Sequence, residues 1–299
     1  DEMKSAVAAT NAAHRAAMSA TRPGSHEQQI AAIFSGVIAA HGLTCAYDSI
    51  VTVRGEVLHN FHYDNPLEAG QLLLLDGGAE ARSGYANDVT RTWPVSGTFD
   101  GRQKAAYEAV LAAQRAAIEM IRPGVRYRDV HMKAAHVLAT FLADEGLLTV
   151  GPDDAVENGA HAVFFPHGVG HLIGLDVHDL ETFGDRVHYA SGRTRSEQFG
   201  TAYLRLDLDL QAGMVVTIEP GFYVVPAILA DDALMARFDA MVDRNRAAEW
   251  IGFGGIRIED DVAVTADGYD VITARIPKTV ADVEAAVAVP FDWSRFTGA

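Results

Sequence analysis

The chain has 299 residues, 49% of them hydrophobic, which suffices for one large domain or two small ones and argues against disorder. A formal net charge of −16 argues against a nucleic-acid partner, because a phosphate backbone needs a basic surface, yet it suits a carboxylate-built site for hard cations. Cys45 is the only cysteine, so no internal disulfide and no cysteine-rich zinc site is expected, and a reducing, cytoplasmic setting fits. The longest apolar runs are as short as Leu72 to Leu75, far below the roughly 20 residues of a membrane span, so no membrane association is expected. No signal peptide is visible at the start, and because the chain opens on Asp1 rather than Met the question of a targeting segment stays open.

The Ala-rich stretch Glu2 to Ala20 predicts a helix that stops at Arg22-Pro23-Gly24. Ser25 with Gln28 reads as a capping box opening a second helix to about His41, with Gly42 just past its end. The same phrase returns 100 residues later: a helix from about Arg102 to Ile121, Arg122-Pro123-Gly124, then a helix from about Arg128 to Asp144 ending near Gly146. A chance echo of a turn is one reading; an internal duplication with two αβ halves sharing a sheet is the sharper one. Strands are expected over Thr44 to Val53, Gln71 to Asp76 and Ala86 to Thr92 in the first half. In the second they are expected over Val163 to His167, Met214 to Glu219, Phe222 to Val225, Ile256 to Val264 and Val271 to Arg275. Clustered strands favour an α+β fold with a mostly antiparallel sheet. Thr182 to Gln198 and Ala227 to Glu249 read as surface excursions, the latter partly helical.

Asp76 ends the run Leu72-Leu73-Leu74-Leu75, where a carboxylate is costly unless paired or metal-bound. Asp88 lies twelve residues on, and a hairpin between them would bring both to one site; a turn aspartate plus a solvated one is the other reading. Between Phe164 and Asp179 three histidines, His167, His171 and His178, sit among glycines. Those glycines exclude the helical zinc-protease arrangement, which also needs a Glu after the first His, but let backbone approach a ligand closely. Glu219 in Thr217-Ile218-Glu219-Pro220-Gly221 and Glu259 in Gly255-Ile256-Arg257-Ile258-Glu259-Asp260-Asp261 each face away from the apolar side of a strand. Singly they read equally as buried ion pairs, with Arg257 an available partner. Together, four carboxylates and one imidazole form an oxygen-rich, thiolate-free set suited to two divalent ions.

These residues resemble the pita-bread metallopeptidases: methionine aminopeptidase, aminopeptidase P and prolidase. The likeness runs from the first helix to about Val287. It implies the pita-bread fold, α+β with two pseudo-symmetric halves around a curved, mostly antiparallel sheet. Its ligand order, Asp, Asp, His, Glu, Glu, falls on Asp76, Asp88, His171, Glu219 and Glu259. The two aspartates stand one residue further apart than in many members, which puts an extra residue in the hairpin near Ala81 to Gly84. The Pro-His-Gly-x-Gly-His block, the Ile218-to-Tyr223 block and the Gly255-to-Asp261 block resemble the proline-specific branch. The resemblance implies hydrolysis of Xaa-Pro bonds, prolidase-like in dipeptides, or in longer peptides as aminopeptidase P. A non-catalytic binding protein on the same fold is the remote alternative.

By the same resemblance two divalent ions are expected, manganese foremost, with cobalt, zinc or iron as alternatives. Glu219 would shuttle a proton and His178 would stabilise the oxyanion. His59, for which His62 competes, and His167 would shape the proline pocket. Arg205 would hold a dipeptide's carboxylate, although a solvated surface arginine is the other reading at its position. Arg257 would orient Glu259, and Tyr223 would add a contact. Residues 1–299 would then be one catalytic domain without the N-terminal domain usual in the branch. A homodimer is a further expectation.

Overall fold

The computed structural model describes residues 1–297. Helix α1 spans Glu2–Ala20, and its buried face of Ala6, Ala9, Ala13, Ala16 and Ala17 lets α2 (Glu27–Ala40) approach closely. The cap of α2 sits one residue later than expected. The backbone of Ser25 is occupied by a turn, its carbonyl accepting from Leu67 N at 2.8 Å, so His26 is the last extended residue and Gln29 Oε1 accepts from its N–H at 3.0 Å. Helices α3 (Gly101–Ile118) and α4 (Tyr127–Asp144) form the second pair. The duplication is visible in the backbone. Gly24 N donates to Leu67 O at 2.9 Å and Gly124 N to Leu210 O at 2.8 Å, while Leu67 and Leu210 return bonds to Ser25 and Val125.

Ten short strands are described: β1 (Thr44–Cys45), β2 (Ile50–Thr52), β3 (Leu72–Asp76), β4 (Ala79–Glu80), β5 (Thr90–Pro94), β6 (Val215–Ile218), β7 (Gly221–Tyr223), β8 (Gly255–Arg257), β9 (Asp260–Val264) and β10 (Tyr269–Val271). All pair antiparallel, in orders β2-β3-β5 and β10-β9-β6, plus the pairs β1-β4 and β7-β8. The two halves meet at a seam. Glu259 N donates to Thr90 O at 3.0 Å, and Thr92 Oγ1 bonds both the carbonyl and the N–H of Arg257.

Several expected strands are shorter or differently placed. Thr44 to Val53 is two strands because β1 pairs with β4 and β2 with β3, and the chain bends between them. The Ala86 to Thr92 strand begins only at Thr90. Val163 to His167 is no strand: a 3₁₀ turn, Ala160–Val163, precedes an extended segment that pairs further on, through Leu172 and Val216. Val271 to Arg275 is curtailed because Thr273 Oγ1 donates to Asp260 Oδ1 at 2.7 Å and accepts from Asp261 N at 3.1 Å, turning the chain. The excursion after Ala227 holds three short helices, Pro226–Ala230, Asp232–Met235 and Arg244–Ala248.

Behind the seam the fold buries charge as well as apolar surface. Arg91, on the face of β5 opposite Thr90 and Thr92, is wholly buried and pairs with Asp260 at 2.8 Å, while Lys278 reaches the other Asp260 oxygen at 2.6 Å. These two cations hold the Asp260 carboxyl far below its ordinary range, against the opposing effect of burial. An aromatic cluster of Phe141, Phe222, Trp250 and Phe253 backs β7 and β8.

Candidate metal centre and substrate cleft

Strand register builds the centre. In the first half Asp76 pairs with Thr90 across β3 and β5, and the same register continues into the hairpin, where Gly77 N bonds Val89 O and Asn87 N bonds Ala79 O. Side chains alternate along a strand, so Asp76, Thr90 and Asp88 share one face. The hairpin closes at Ala81 to Tyr85, with Ala81 N on Tyr85 O at 2.8 Å. In the second half the register runs from Gly221↔Arg257 to Ile218↔Asp260, which sets Glu219 opposite Glu259 across the break between β6 and β7. Pro220 falls in that break, where its missing N–H costs no ladder bond.

His171 comes from the segment lying along the free edge of β6, where Thr217 N donates to His171 O at 2.9 Å and Glu219 N to Val169 O at 2.8 Å. The close fit requires Gly170, because a Cβ there would stand 2.2 Å from Thr217 O and 2.5 Å from the Tyr127 hydroxyl.

The five expected ligands converge. Ligand atoms of Asp88, His171 and Glu259 lie within 4.8 Å of one another. His171 Nε2 is 3.4 Å from Asp88 Oδ2 and 3.7 Å from Glu219 Oε1. Its Nδ1 bonds Leu172 O at 2.9 Å, which fixes the tautomer and turns Nε2 into the site. The Tyr47 hydroxyl bridges Asp76 Oδ1, at 2.6 Å, and Asp88 Oδ1. Thr90 Oγ1 donates to Glu259 Oε2 at 2.6 Å.

Electrostatically this is a group of buried carboxyls crowded against one another. Burial, then the Asp88 charge, raises Asp76 to about 6. Burial raises Glu219 to about 7 despite the opposing pull of His171 and Arg257. Burial and the neighbouring anions Asp88, Glu219 and Asp76 push Glu259 well above the carboxylate range. Asp88 moves down instead: burial opposes its charge, but the hydrogen bonds from His171 and Tyr47 outweigh it. His171 moves up, because Asp88 outweighs the burial that lowers it. A buried, like-charged donor set of oxygens with one imidazole fits divalent cations, whose charge would relieve that repulsion.

The remaining expected residues surround a cleft of about 740 Å³ that opens onto the ligands. His59 stands exposed at its mouth and His178 and Arg205 line its wall, while the competing His62 is exposed and outside the lining. His167 also lines the cleft, with Nδ1 3.9 Å from Glu219 Oε2, and burial lowers its pKa to about 3. Burial, His171 and Arg205 lower His178 to about 4.

Two roles differ from expectation. Arg257 pairs with Asp76, Nη2 to Oδ2 at 2.7 Å, and reaches Glu259 only through Thr90 Oγ1, to which its Nε donates at 3.0 Å. Tyr223 is fully buried and lies behind the wall, its hydroxyl 2.9 Å from His167 Nε2 and 3.2 Å from Arg257 Nη1.

Sequence reasoning did not find Tyr47, Thr90, Glu27 or Glu181. Glu27 clamps the loop that carries His59: its carboxylate accepts from Val53 N at 2.8 Å and Asn65 N at 2.9 Å, the two ends of that loop. At the loop's base Gly55 lies against Gly255, where a Cβ on Gly55 would stand 2.7 Å from the Gly255 carbonyl oxygen. The one available signal for Tyr47 was a polar-tipped aromatic next to Asp48 inside an expected strand.

With this geometry established, comparison with known proteins is decisive. The model of metallopeptidase family M24 matches residues 1–266. The chain belongs to metallopeptidase family M24. Among M24 relatives it is 36% identical over 286 residues to the Xaa-Pro dipeptidase of Homo sapiens, covering 92% of this chain and 56% of that one. It is 37% identical over 253 residues to Xaa-Pro aminopeptidase 2 of Streptomyces coelicolor, covering 85% and 46%. The aminopeptidase PepP structure of Pseudomonas aeruginosa superposes with a TM-score of 0.79 at 34% identity, covering 97% of this chain and 58% of that one. Zinc-substituted aminopeptidase P of Escherichia coli in complex with product gives 0.78 at 31%, again covering 97% and 58%. The M24 chain has their pita-bread fold, and it spans between about half and three fifths of the length of the relatives it matches. Among the described residues no helix is long and apolar enough to cross a membrane.

Proposed function

We propose that residues 1–299 form the catalytic domain of a two-metal exopeptidase that cleaves the bond before proline, with Xaa-Pro dipeptides as favoured substrates. The observation that carries this reading is the presence of Arg205 in the same cleft as the carboxylate–histidine cluster. An arginine fork pairs bidentately with a carboxylate, which a dipeptide presents next to its scissile bond. A second reading, aminopeptidase P acting on longer peptides, is favoured by the names of the superposed structures.

Asp76, Asp88, His171, Glu219 and Glu259 would hold two divalent ions, manganese by preference, with cobalt, zinc or iron as alternatives. Such a pair acidifies water and polarises a carbonyl. The chain's own residues do the rest. Glu219 would take a proton from the nucleophilic water at its carboxylate and return it to the leaving imino nitrogen. His178, its Nδ1 3.0 Å from Arg205 Nη1, would donate to the developing oxyanion. His59 and His167 flank the proline ring. Tyr223 fixes His167 and Arg257 from behind, and Arg257 holds Asp76.

The test is hydrolysis of Xaa-Pro and Xaa-Pro-Yaa peptides by manganese-loaded protein, before and after chelation. Chelation is expected to abolish both activities, and Arg205→Ala to raise the dipeptide KM roughly 10- to 100-fold, the worth of a charged hydrogen-bonded contact. Unchanged dipeptide turnover in Arg205→Ala would leave the aminopeptidase reading. A protein that binds no metal and cleaves neither peptide with manganese would be a binding protein on this fold.

A further inference from the structure

The cleft wall contains a carboxylate that the proposed chemistry does not use. Glu181 Oε2 lies 2.7 Å from Arg205 Nη1 and 3.2 Å from His178 Nδ1, and all three residues line the cleft. The chain is bent to deliver it. Leu180, immediately before, has φ +59° and ψ +10°, and is the one non-glycine residue with positive φ among the described residues. A left-handed leucine is costly and persists where surrounding structure enforces it, often beside functional groups. Leu180 is the third residue of the turn closed by Glu181 N to His178 O at 3.2 Å, which folds Glu181 back toward His178.

We propose that Glu181 is a built-in competitor for the terminal carboxylate of a dipeptide substrate, and so sets how strongly the cleft discriminates dipeptides from longer peptides. The proposal rests on Xaa-Pro cleavage with Arg205 as the carboxylate's partner. A dipeptide's carboxylate reaching Arg205 must displace Glu181 or lie beside it, anion against anion. A longer peptide has a neutral amide at that point and leaves the pair closed. Displacement is feasible because the pair is partly open to water, with Glu181 34% and Arg205 30% exposed, the kind of ion pair whose separation costs little. No bond is made or broken in this role, so Glu181 is a specificity residue and not a catalytic one.

The experiment compares wild type with Glu181→Gln, which keeps shape and removes charge, both manganese-loaded and checked for equal metal content. The ratio of dipeptide KM to tripeptide KM is expected to fall roughly three- to tenfold in the variant, with kcat for the two substrates keeping its ratio. A ratio that stays level or rises overturns the proposal. Calorimetric binding of free proline, which carries the carboxylate, and of prolinamide, which lacks it, gives a second reading free of turnover. Glu181→Gln should tighten proline relative to prolinamide, and equal effects on both would overturn the proposal. If wild type cleaves no Xaa-Pro peptide, the proposed activity falls, and the proline and prolinamide pair still decides the role of Glu181 at Arg205.

Discussion

The two halves use the same backbone devices and present different chemistry. Each half opens with a helix pair whose connection is held by a glycine N–H bonded to a distant leucine carbonyl, Gly24 to Leu67 and Gly124 to Leu210. Each then contributes an antiparallel strand ending at a carboxylate, Asp76 after Leu75 and Glu219 after Ile218. They differ outside that repeat. The first half brings its second carboxylate, Asp88, through a hairpin, where the second brings Glu259 on the facing strand, and it sends one loop, clamped by Glu27, toward the cleft. The second half adds the imidazole of His171 and the residues that flank its excursion, His178, Glu181 and Arg205, which line the cleft. The repeat supplies the frame, and the residues to which we assign selectivity lie where the halves diverge.

The pseudo-equivalent pair Asp76 and Glu219 gives the sharpest way to break this comparison. At saturating metal, Glu219→Gln should lower kcat by about 10²- to 10⁴-fold, the usual worth of an acid–base group, whereas Asp76→Asn should mainly raise the metal concentration needed. Metal titrations of kcat separate the two, and equal losses at saturation would erase the distinction. Next in size is the joint between halves. Arg91→Met leaves Asp260 buried with Lys278 as its one remaining cation and should cost about 3–5 kcal/mol in urea unfolding. A cost below 1 kcal/mol would mean the halves do not depend on that joint.

The smallest expected effect is shared by both halves. His14 in α1 is buried, with Nε2 on Gly77 O at 3.0 Å, and burial lowers its pKa to about 3; burial likewise lowers His131 in α4 and His161. A histidine held neutral in the fold but free to protonate near 6.5 when unfolded gives stability that is complete above that pH. That stability is lost as pH falls, until the folded group also protonates. For His14 the loss is about 2 kcal/mol by pH 5. Unfolding free energies of wild type and His14→Gln between pH 8 and pH 5 should converge by that amount, and parallel curves would remove the His14 contribution.

Much of this was legible in sequence. The Ala-rich run and the Arg-Pro-Gly stop fixed α1 to the residue because small side chains and a proline act locally. Glu219 and Glu259 are legible because each follows a strand pattern with its polar side opposed to apolar neighbours, and His171 because three histidines crowd one Gly-rich block. Tyr47 and Glu181 were not, since each depends on chain bends set by distant partners: β1 pairing with β4, and a left-handed Leu180 that no local pattern announces. The α2 cap moved for a similar reason, Ser25 being taken by Leu67. Strand alternation makes Arg257 an available partner for Glu259, but the competing Asp76 lies across the seam in the other half.

That seam has a consequence for how the protein comes to exist. Thr90 and Glu259, bonded through both backbone and side chain, are 169 residues apart. A chain emerging from the ribosome displays the Asp76–Asp88 hairpin long before His171, Glu219 or Glu259 has been made. Closing so long a loop comes late in folding. The complete carboxylate–histidine constellation therefore belongs to the finished molecule, and a nascent or half-folded chain offers passing cations nothing better than an ordinary pair of aspartates.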